Sequence, residues 1–296
     1  MSSAVSEENM AKKKMIHDFQ KMKKDGEKVA WLTAYDFPTA QFGEAAGLDM
    51  ILVGDSLGMC VYGYPGTTPV TMDQCIVHSE AVRRGAPNTF VVGDMPFMSY
   101  QISPQEAVRN AGRFIKEADV DAIKLEGGKR VLPSIHAILD AGIVVIGHIG
   151  LTPQSSGQLG GHKAQGRTVE SARLLVEDAL TLQEAGVHML LLEAVPPEAG
   201  KFITERLDIP VYGIGAGPFT NGQLIIVSDL IGQFQAFTPK FVKKYANVAE
   251  IVTNAIKSYC AEVRSGQFPQ DEHCYHMLEG EHEKFLEMIK KYSTKK

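Results

Sequence analysis

A (β/α)8 barrel is the fold class predicted by three features of this 296-residue chain. Short apolar runs recur about eight times, helical periodicity fills the stretches between them, and polar residues capable of chemistry fall at the ends of the runs. Runs that are apolar on successive residues suit strands covered on both faces, as in a parallel sheet. Strand then helix, repeated about eight times in roughly 250 residues, closes such a sheet into a barrel. An open doubly wound sheet would carry a glycine-rich nucleotide fingerprint in its first strand-helix turn, and "LTAYDFPTAQ" has none.

The strand candidates begin with "VAWLTAY" at Val29, "MILVGDS" at Met50, "TFVVGDM" at Thr89 and "DAIKLEGG" at Asp121. They continue with "IVVIGHIG" at Ile143, "MLLLEAV" at Met189, "PVYGIGAG" at Pro210 and a weaker "QLIIVSDL" at Gln223. Helical patterns follow Pro38, Thr71, Val131 and Pro197. In "SPQEAVRNAGRFIKEA", Ser103 is the expected N-cap, Pro104 the first helical residue and Glu106 the closing member of a capping box. Ala107, Val108, Ala111, Phe114, Ile115 and Ala118 then share one face. "SARLLVEDALTLQEAG" ends on Gly186, a natural helix-stopping residue.

Other segments punctuate the repeat. "PGTTPVTMDQ" reads as a loop ending in an N-cap. "TPQSSGQLGGHKAQGR", Thr152 to Arg167, is far longer than the usual two to six residues of such a connection and is expected to be a mobile lid or a surface insertion. "GIGAGP", Gly213 to Pro218, allows close approach of a ligand or tight packing at the rim. From about Pro239 the chain has more helix than one barrel unit needs, enough to close the barrel or reach a neighbouring subunit. The expected organisation is a disordered segment 1–13, a barrel domain 14–266 and a helical extension 267–296.

Composition narrows the function. Thirty Lys and Arg against 35 Asp and Glu, a formal net charge of -5, give no general attraction to nucleic acid. No segment approaches the ~18–20 continuous apolar residues of a membrane helix, and "MSSAVSEENMAKKK" lacks the apolar core of a signal peptide. A cytoplasmic protein is expected. Cys60, Cys75, Cys260 and Cys274 show neither C-x-x-C nor zinc spacing, so buried reduced thiols are expected.

Barrel enzymes place their chemistry at the carboxyl ends of the strands. There the sequence puts Asp55, Asp94, Lys124 with Glu126, His148 and Glu193. One polar residue at a strand end is often only a cap for the next helix, but five strands contributing ionisable groups point to a site. Several carboxylates at one mouth require a cation, and all-oxygen donors favour Mg²⁺. Asp55 and Asp94, both in "VGD", are its expected ligands, with Glu126 binding directly, through water, or pairing with Lys124 instead. Glu193 stands among apolar residues, which suits a proton-abstracting base or a carboxylate with a buried cationic partner. His148 and Lys124 can donate to a substrate oxyanion, although a lone histidine in a glycine-flanked strand is also a common core residue.

"LTAYDFPTAQ", "ILVGDSLGM", "GYPGTTPVTMDQ", "VVGDMPFMSY", "AIKLEGG", "GHIGLTPQ", "LLLEAVP", "GIGAG" and "FTPKFVKKY", in this order, resemble the ketopantoate hydroxymethyltransferase family from about Met15 to about Gly266. The resemblance implies a barrel of the phosphoenolpyruvate/pyruvate type, a Mg²⁺ cofactor and hydroxymethyl transfer from 5,10-methylenetetrahydrofolate to 3-methyl-2-oxobutanoate. It implies Asp55, Asp94 and Glu126 at the metal, Ser56 and Lys124 on the substrate, Glu193 as proton acceptor, His148 lining the pocket, and a decamer of two pentameric rings. Other Mg²⁺-dependent 2-oxo-acid lyases or mutases, and a non-catalytic ligand-binding barrel, are the alternatives; no lyase-type "KKCGH" segment is present. Asn221, Ser228 and His162 stand where the family usually has an acidic residue, a histidine and a tyrosine. They lie outside the carboxylate set and bear on the folate side.

Overall fold

The computed structural model describes residues 13–292. Eight parallel strands close into a barrel in chain order: β1 Val29–Thr33, β2 Met50–Val53, β3 Phe90–Asp94, β4 Ala122–Glu126, β5 Val145–Gly150, β6 Met189–Glu193, β7 Val211–Ile214 and β8 Gly222–Ile225. Closure comes from β1 against β8, in register from Val29↔Gly222 to Leu32↔Ile225, so the sheet has no free edge.

The period of two along each strand splits the apolar residues into two cores. Val29 and Trp31, Met50 and Leu52, Phe90 and Val92, and Met189 and Leu191 fill the inside of the barrel. Their neighbours Ile51, Val53, Val91, Leu190 and Leu192 belong to the outer core, which includes helix residues such as Phe114, Leu175 and Ile203. The uninterrupted apolar runs are thus explained by burial on both faces.

A helix before the barrel, Ile16–Asp25, covers one end. Its Phe19 is fully buried in the inner core and meets Phe90 edge-on, with centroids 5.0 Å apart. Lys23 Nζ donates to the carbonyls of Thr204, Leu207 and Ile209, anchoring this helix to the end of another, Pro197–Arg206. Phe90 opens β3, so the plug sits at the amino ends of the strands and the carboxyl ends carry the mouth.

The expected helix signals are present with two corrections. Ser103 accepts from the Glu106 backbone at the start of the helix Pro104–Ala118. The reciprocal half of the box is missing, because the Glu106 carboxylate turns to Arg109 and Asn110 instead. Thr71 is the N-cap expected from "PGTTPVTMDQ", and it forms a full capping box with Gln74 besides. Gly186, at φ +94, ends the helix Val169–Glu184. The second correction concerns the repeat: the β7 to β8 connection, residues 215–221, contains no helix. In it Gly215 has φ +69, and a Cβ there would lie 2.5 Å from the Phe241 ring, so this glycine serves close packing.

Residues up to Ala246 and those from Asn247 onward form two compact units. The second begins with the helix Val248–Ser265, has Phe268 against Tyr259 and His273, and ends with the helix Glu281–Lys290. The boundary expected at 266 falls inside this second unit, at the glycine cap of its first helix, whereas the division lies between Ala246 and Asn247. Of the expected disordered segment 1–13, only Lys13 lies among the described residues, and it pairs with Asp121 at 2.6 Å. The four cysteines are free, but only Cys75 is buried and Cys274 is exposed, which corrects the expectation of buried thiols. Among the described residues no helix is long and apolar enough to cross a membrane.

Candidate active site

All seven residues expected at the site, Asp55, Ser56, Asp94, Lys124, Glu126, His148 and Glu193, line one cavity of about 120 Å³ at the barrel mouth. That volume is below the usual range for drug-sized ligands and suits a small organic acid. Strand periodicity explains the convergence. Asp94 is in phase with the inward Phe90 and Val92, Lys124 and Glu126 with Ala122, His148 with Ile146, and Glu193 with Leu191. Each therefore points into the barrel, at the last turn of pleat before the mouth.

Asp55 arrives differently, one residue beyond Gly54 at the end of β2. Its backbone N–H donates to Asp94 Oδ2 at 3.0 Å, tying the two "VGD" segments together. A Cβ on Gly54 would stand 2.9 Å from Ser56 Oγ and 3.7 Å from Asp94 Oδ2, so glycine leaves room for both. Ser56 Oγ in turn hydrogen-bonds the Tyr35 hydroxyl at 2.8 Å.

Lys124 Nζ lies 2.7 Å from Asp94 Oδ1, with both side chains almost fully buried. Among the described residues the alternative Lys124–Glu126 ion pair is not formed. Burial alone would lower the Lys124 pKa, but Asp94, Glu126 and Asp55 overcome it and hold the ammonium charged. Burial, reinforced by the Asp94 charge, pushes the Asp55 carboxyl up to about 7. Burial likewise raises Glu126 well above the usual carboxylate range.

His148 is neutral, its pKa driven down by burial and by Lys124. Its Nδ1 is 3.3 Å from Lys124 Nζ, and an ammonium can only donate, which assigns the ring proton to Nε2. Nε2 faces Glu193 Oε2 at 3.2 Å, off the line of a hydrogen bond. Burial raises Glu193 to about 7, and among the described residues no Arg or Lys forms an ion pair with it. Among the described residues the alternative reading of Glu193, as half of a buried pair with a lysine or arginine, is not realised. Ala194, immediately after it, has φ +47, a left-handed conformation that costs a non-glycine residue about 1 kcal/mol. Hydrogen bonds from Ala194 N to Ile214 O and from Gln165 N to Ala194 O pin it there.

The donor set fits a hard divalent cation. Asp94 Oδ1 is met by the Lys124 ammonium alone, at 2.7 Å, and among the described residues no hydrogen bond reaches Asp55 Oδ1. The crowding that raises Asp55 is what a cation would relieve. Among the described residues no three Asp, Glu, His or Cys side chains form a ready cage. Mg²⁺ characteristically takes one or two carboxylates and completes its shell with water and substrate oxygens.

Two participants escaped the sequence reading. Gln154 and Tyr100 are buried behind the carboxylates and hydrogen-bonded to each other at 2.7 Å. The long segment 152–167 supplies Gln154, and His162 of the same segment lines the cavity. The apolar wall, with Leu191, Ile214, Leu224 and Phe241, was likewise unassigned.

A closed parallel barrel with carboxylates, a lysine and a histidine converging at its carboxyl mouth has the architecture of the (β/α)8-barrel enzymes. Solved structures of similar fold include phosphonopyruvate hydrolase in complex with oxalate and Mg²⁺, with TM-score 0.58 and 12% identity over 95% of this chain and 100% of that one. Another is 2,3-dimethylmalate lyase, a PEP mutase/isocitrate lyase superfamily member, with TM-score 0.54 and 16% identity over 88% of this chain and 91% of that one. A family model described as ketopantoate hydroxymethyltransferase matches residues 13–271. A 3-methyl-2-oxobutanoate hydroxymethyltransferase of Alkaliphilus metalliredigens (strain QYMF) is 69% identical over 274 residues, 93% of this chain and 97% of the relative. One from Syntrophomonas wolfei is 54% identical over 257 residues, 87% of this chain and 93% of the relative. The chain belongs to the ketopantoate hydroxymethyltransferase family and is a hydroxymethyltransferase.

Proposed function

We propose that the chain transfers a hydroxymethyl group from 5,10-methylenetetrahydrofolate to 3-methyl-2-oxobutanoate, giving 2-dehydropantoate at the first step of pantothenate and coenzyme A biosynthesis. The observation that carries this reading is the setting of Glu193: a partly buried carboxylate that, among the described residues, has no lysine or arginine ion pair, with its pKa raised to about 7 beside an apolar wall. Such a group suits abstraction of a proton from carbon.

Asp55 and Asp94 would hold Mg²⁺, with Glu126 as the third acidic residue of the site. When bound, Mg²⁺ supplies a Lewis acid that makes the carbon beside the 2-oxo group more acidic. Glu193 takes the C3 proton, and the Nε2–H of His148 faces the carboxylate that receives it. Lys124, held charged, supplies a donor for the enolate oxygen or the substrate carboxylate, and Ser56 a hydroxyl. Water adds to the methylene carbon of the folate, its two C–N bonds break and tetrahydrofolate leaves with the protons, freeing the one-carbon unit at the formaldehyde level. The C3 nucleophile adds to that carbonyl, whose oxygen takes a proton and becomes the new hydroxyl. Leu191, Ile214 and Leu224 accommodate the branched alkyl group and exclude water from Glu193.

The wider reading includes a cytoplasmic, oligomeric enzyme, a decamer of two pentameric rings. The exposed apolar residues Ile251, Ile256 and Tyr259 of the C-terminal unit support association with further copies. Proton exchange at C3 tests the chemistry. Glu193→Gln should abolish solvent exchange of that proton, followed by NMR, while leaving substrate affinity nearly unchanged; wild-type exchange in the variant would remove Glu193 as the base.

A further inference from the structure

Gln154 opens the long segment 152–167 yet is 5% exposed, and it uses its whole hydrogen-bonding capacity inside the mouth. Its Nε2 donates to Asp55 Oδ2 at 2.8 Å and to the Met95 carbonyl at 3.0 Å. Both partners only accept, when Asp55 is ionised, which fixes the orientation of the amide. Its Oε1 accepts from the Tyr100 hydroxyl at 2.7 Å and from Gln101 Nε2 at 3.3 Å. Its backbone N–H donates to Glu126 Oε2 at 3.1 Å. Tyr100 completes the frame, because its hydroxyl also accepts from the Glu126 backbone N–H at 3.1 Å.

One residue of the β5 loop thus holds a carboxylate from the second strand unit and another from the fourth. The Asp55 contact caps no helix and completes no sheet, whereas the Glu126 carboxylate also satisfies a first-turn N–H of the short 3-10 helix Pro153–Ser155. We propose that Gln154 is a positioning residue: by fixing Asp55 Oδ2 and Glu126 Oε2 it sets the direction in which Asp55 Oδ1 is offered, and it makes that direction depend on the seating of segment 152–167. The inference rests on the reading of Asp55 as a cation ligand. Partners that orient ligands in this way typically govern metal affinity by about 10- to 100-fold.

The test is Mg²⁺ affinity of the substrate-free protein, measured by titration calorimetry beside the unfolding temperature. Gln154→Met keeps the length of the side chain and removes every polar atom; Mg²⁺ should bind about 10- to 100-fold more weakly. Tyr100→Phe removes only the hydroxyl that orients the amide, so it serves where the first variant folds poorly, and it should weaken Mg²⁺ in the same direction. A merely structural role would lower the unfolding temperature and leave Mg²⁺ affinity at the wild-type value; that result in both variants, or in Tyr100→Phe alone if Gln154→Met does not fold, overturns the proposal. Asp55→Asn separates the two readings. If it leaves Mg²⁺ binding intact, the cation assignment itself is wrong; if it abolishes binding while the other two variants do not change it, only the role of Gln154 falls.

Discussion

The backbone N–H of Asp55 donates to Asp94 Oδ2 at 3.0 Å, so the two aspartates of the repeated "VGD" phrase are joined before any ligand arrives. Their environments nonetheless differ. Asp94 shares a buried ion pair with Lys124, whereas Asp55 is a crowded carboxyl raised to about 7. Asp55→Asn and Asp94→Asn should both abolish Mg²⁺ binding and activity, but with opposite effects on the metal-free fold. Removing Asp94 strands a buried ammonium and should destabilise by about 3–5 kcal/mol, whereas removing Asp55 relieves repulsion and should leave stability unchanged or higher. Denaturant unfolding in EDTA measures the contrast, and equal losses would refute it.

Glu193 titrating near 7 fixes the acid limb of the pH profile. A base must be ionised to act, so its active form fills as pH rises through about 7. Below that value kcat/KM, measured at saturating Mg²⁺ so that Asp55 is held ionised by the metal, should fall about tenfold per pH unit. In Glu193→Gln, activity should drop by about 10²- to 10⁴-fold and this limb should disappear. A limb that persists in the variant would assign the titration to another group.

The barrel was legible from uninterrupted apolar runs alternating with helical periodicity, and the ionisable cluster from its place at the ends of those runs. A residue in phase with the inner core at a strand end must face the mouth, and Asp94, Lys124, Glu126, His148 and Glu193 all obey this rule. Asp55 was legible from the echo of "VGD" although it lies past its strand. Gln154 was not, because its partner Asp55 is 99 residues away in sequence and no periodicity records such a contact. The same holds for "GIGAG": only the placement of Phe241 shows that Gly215 serves packing. The helix-free β7–β8 connection was hidden because a glycine-rich stretch leaves no pattern to count.

Metal-free stability should decline with rising pH. Asp55 and Glu193 have folded-state pKa values near 7, above the roughly 4 of an unfolded carboxyl. Folding therefore favours their protonated forms, and the associated stability is fully present below about pH 4 and lost as pH rises to about 7. Mg²⁺ binds the ionised site, so it should raise the unfolding temperature more at pH 8 than at pH 5. A scan at both pH values, with and without Mg²⁺, checks the difference, and an equal shift would show that Asp55 does not meet the ion.

Gly54→Ala tests whether the close approach behind the aspartates matters. The new methyl would stand 2.9 Å from Ser56 Oγ, and the serine, being a short side chain, can rotate away. Doing so breaks its 2.8 Å contact with the Tyr35 hydroxyl and withdraws Ser56 from the substrate position. The backbone that carries Asp55 need not move, so the protein should fold normally and retain Mg²⁺. Substrate binding should suffer instead, with KM for the 2-oxo acid raised on the order of tenfold and kcat changed less, since small displacements at a preorganised site carry penalties of this size. Unchanged KM would mean that Ser56 does not touch substrate, and lost Mg²⁺ affinity would place the strain on Asp55.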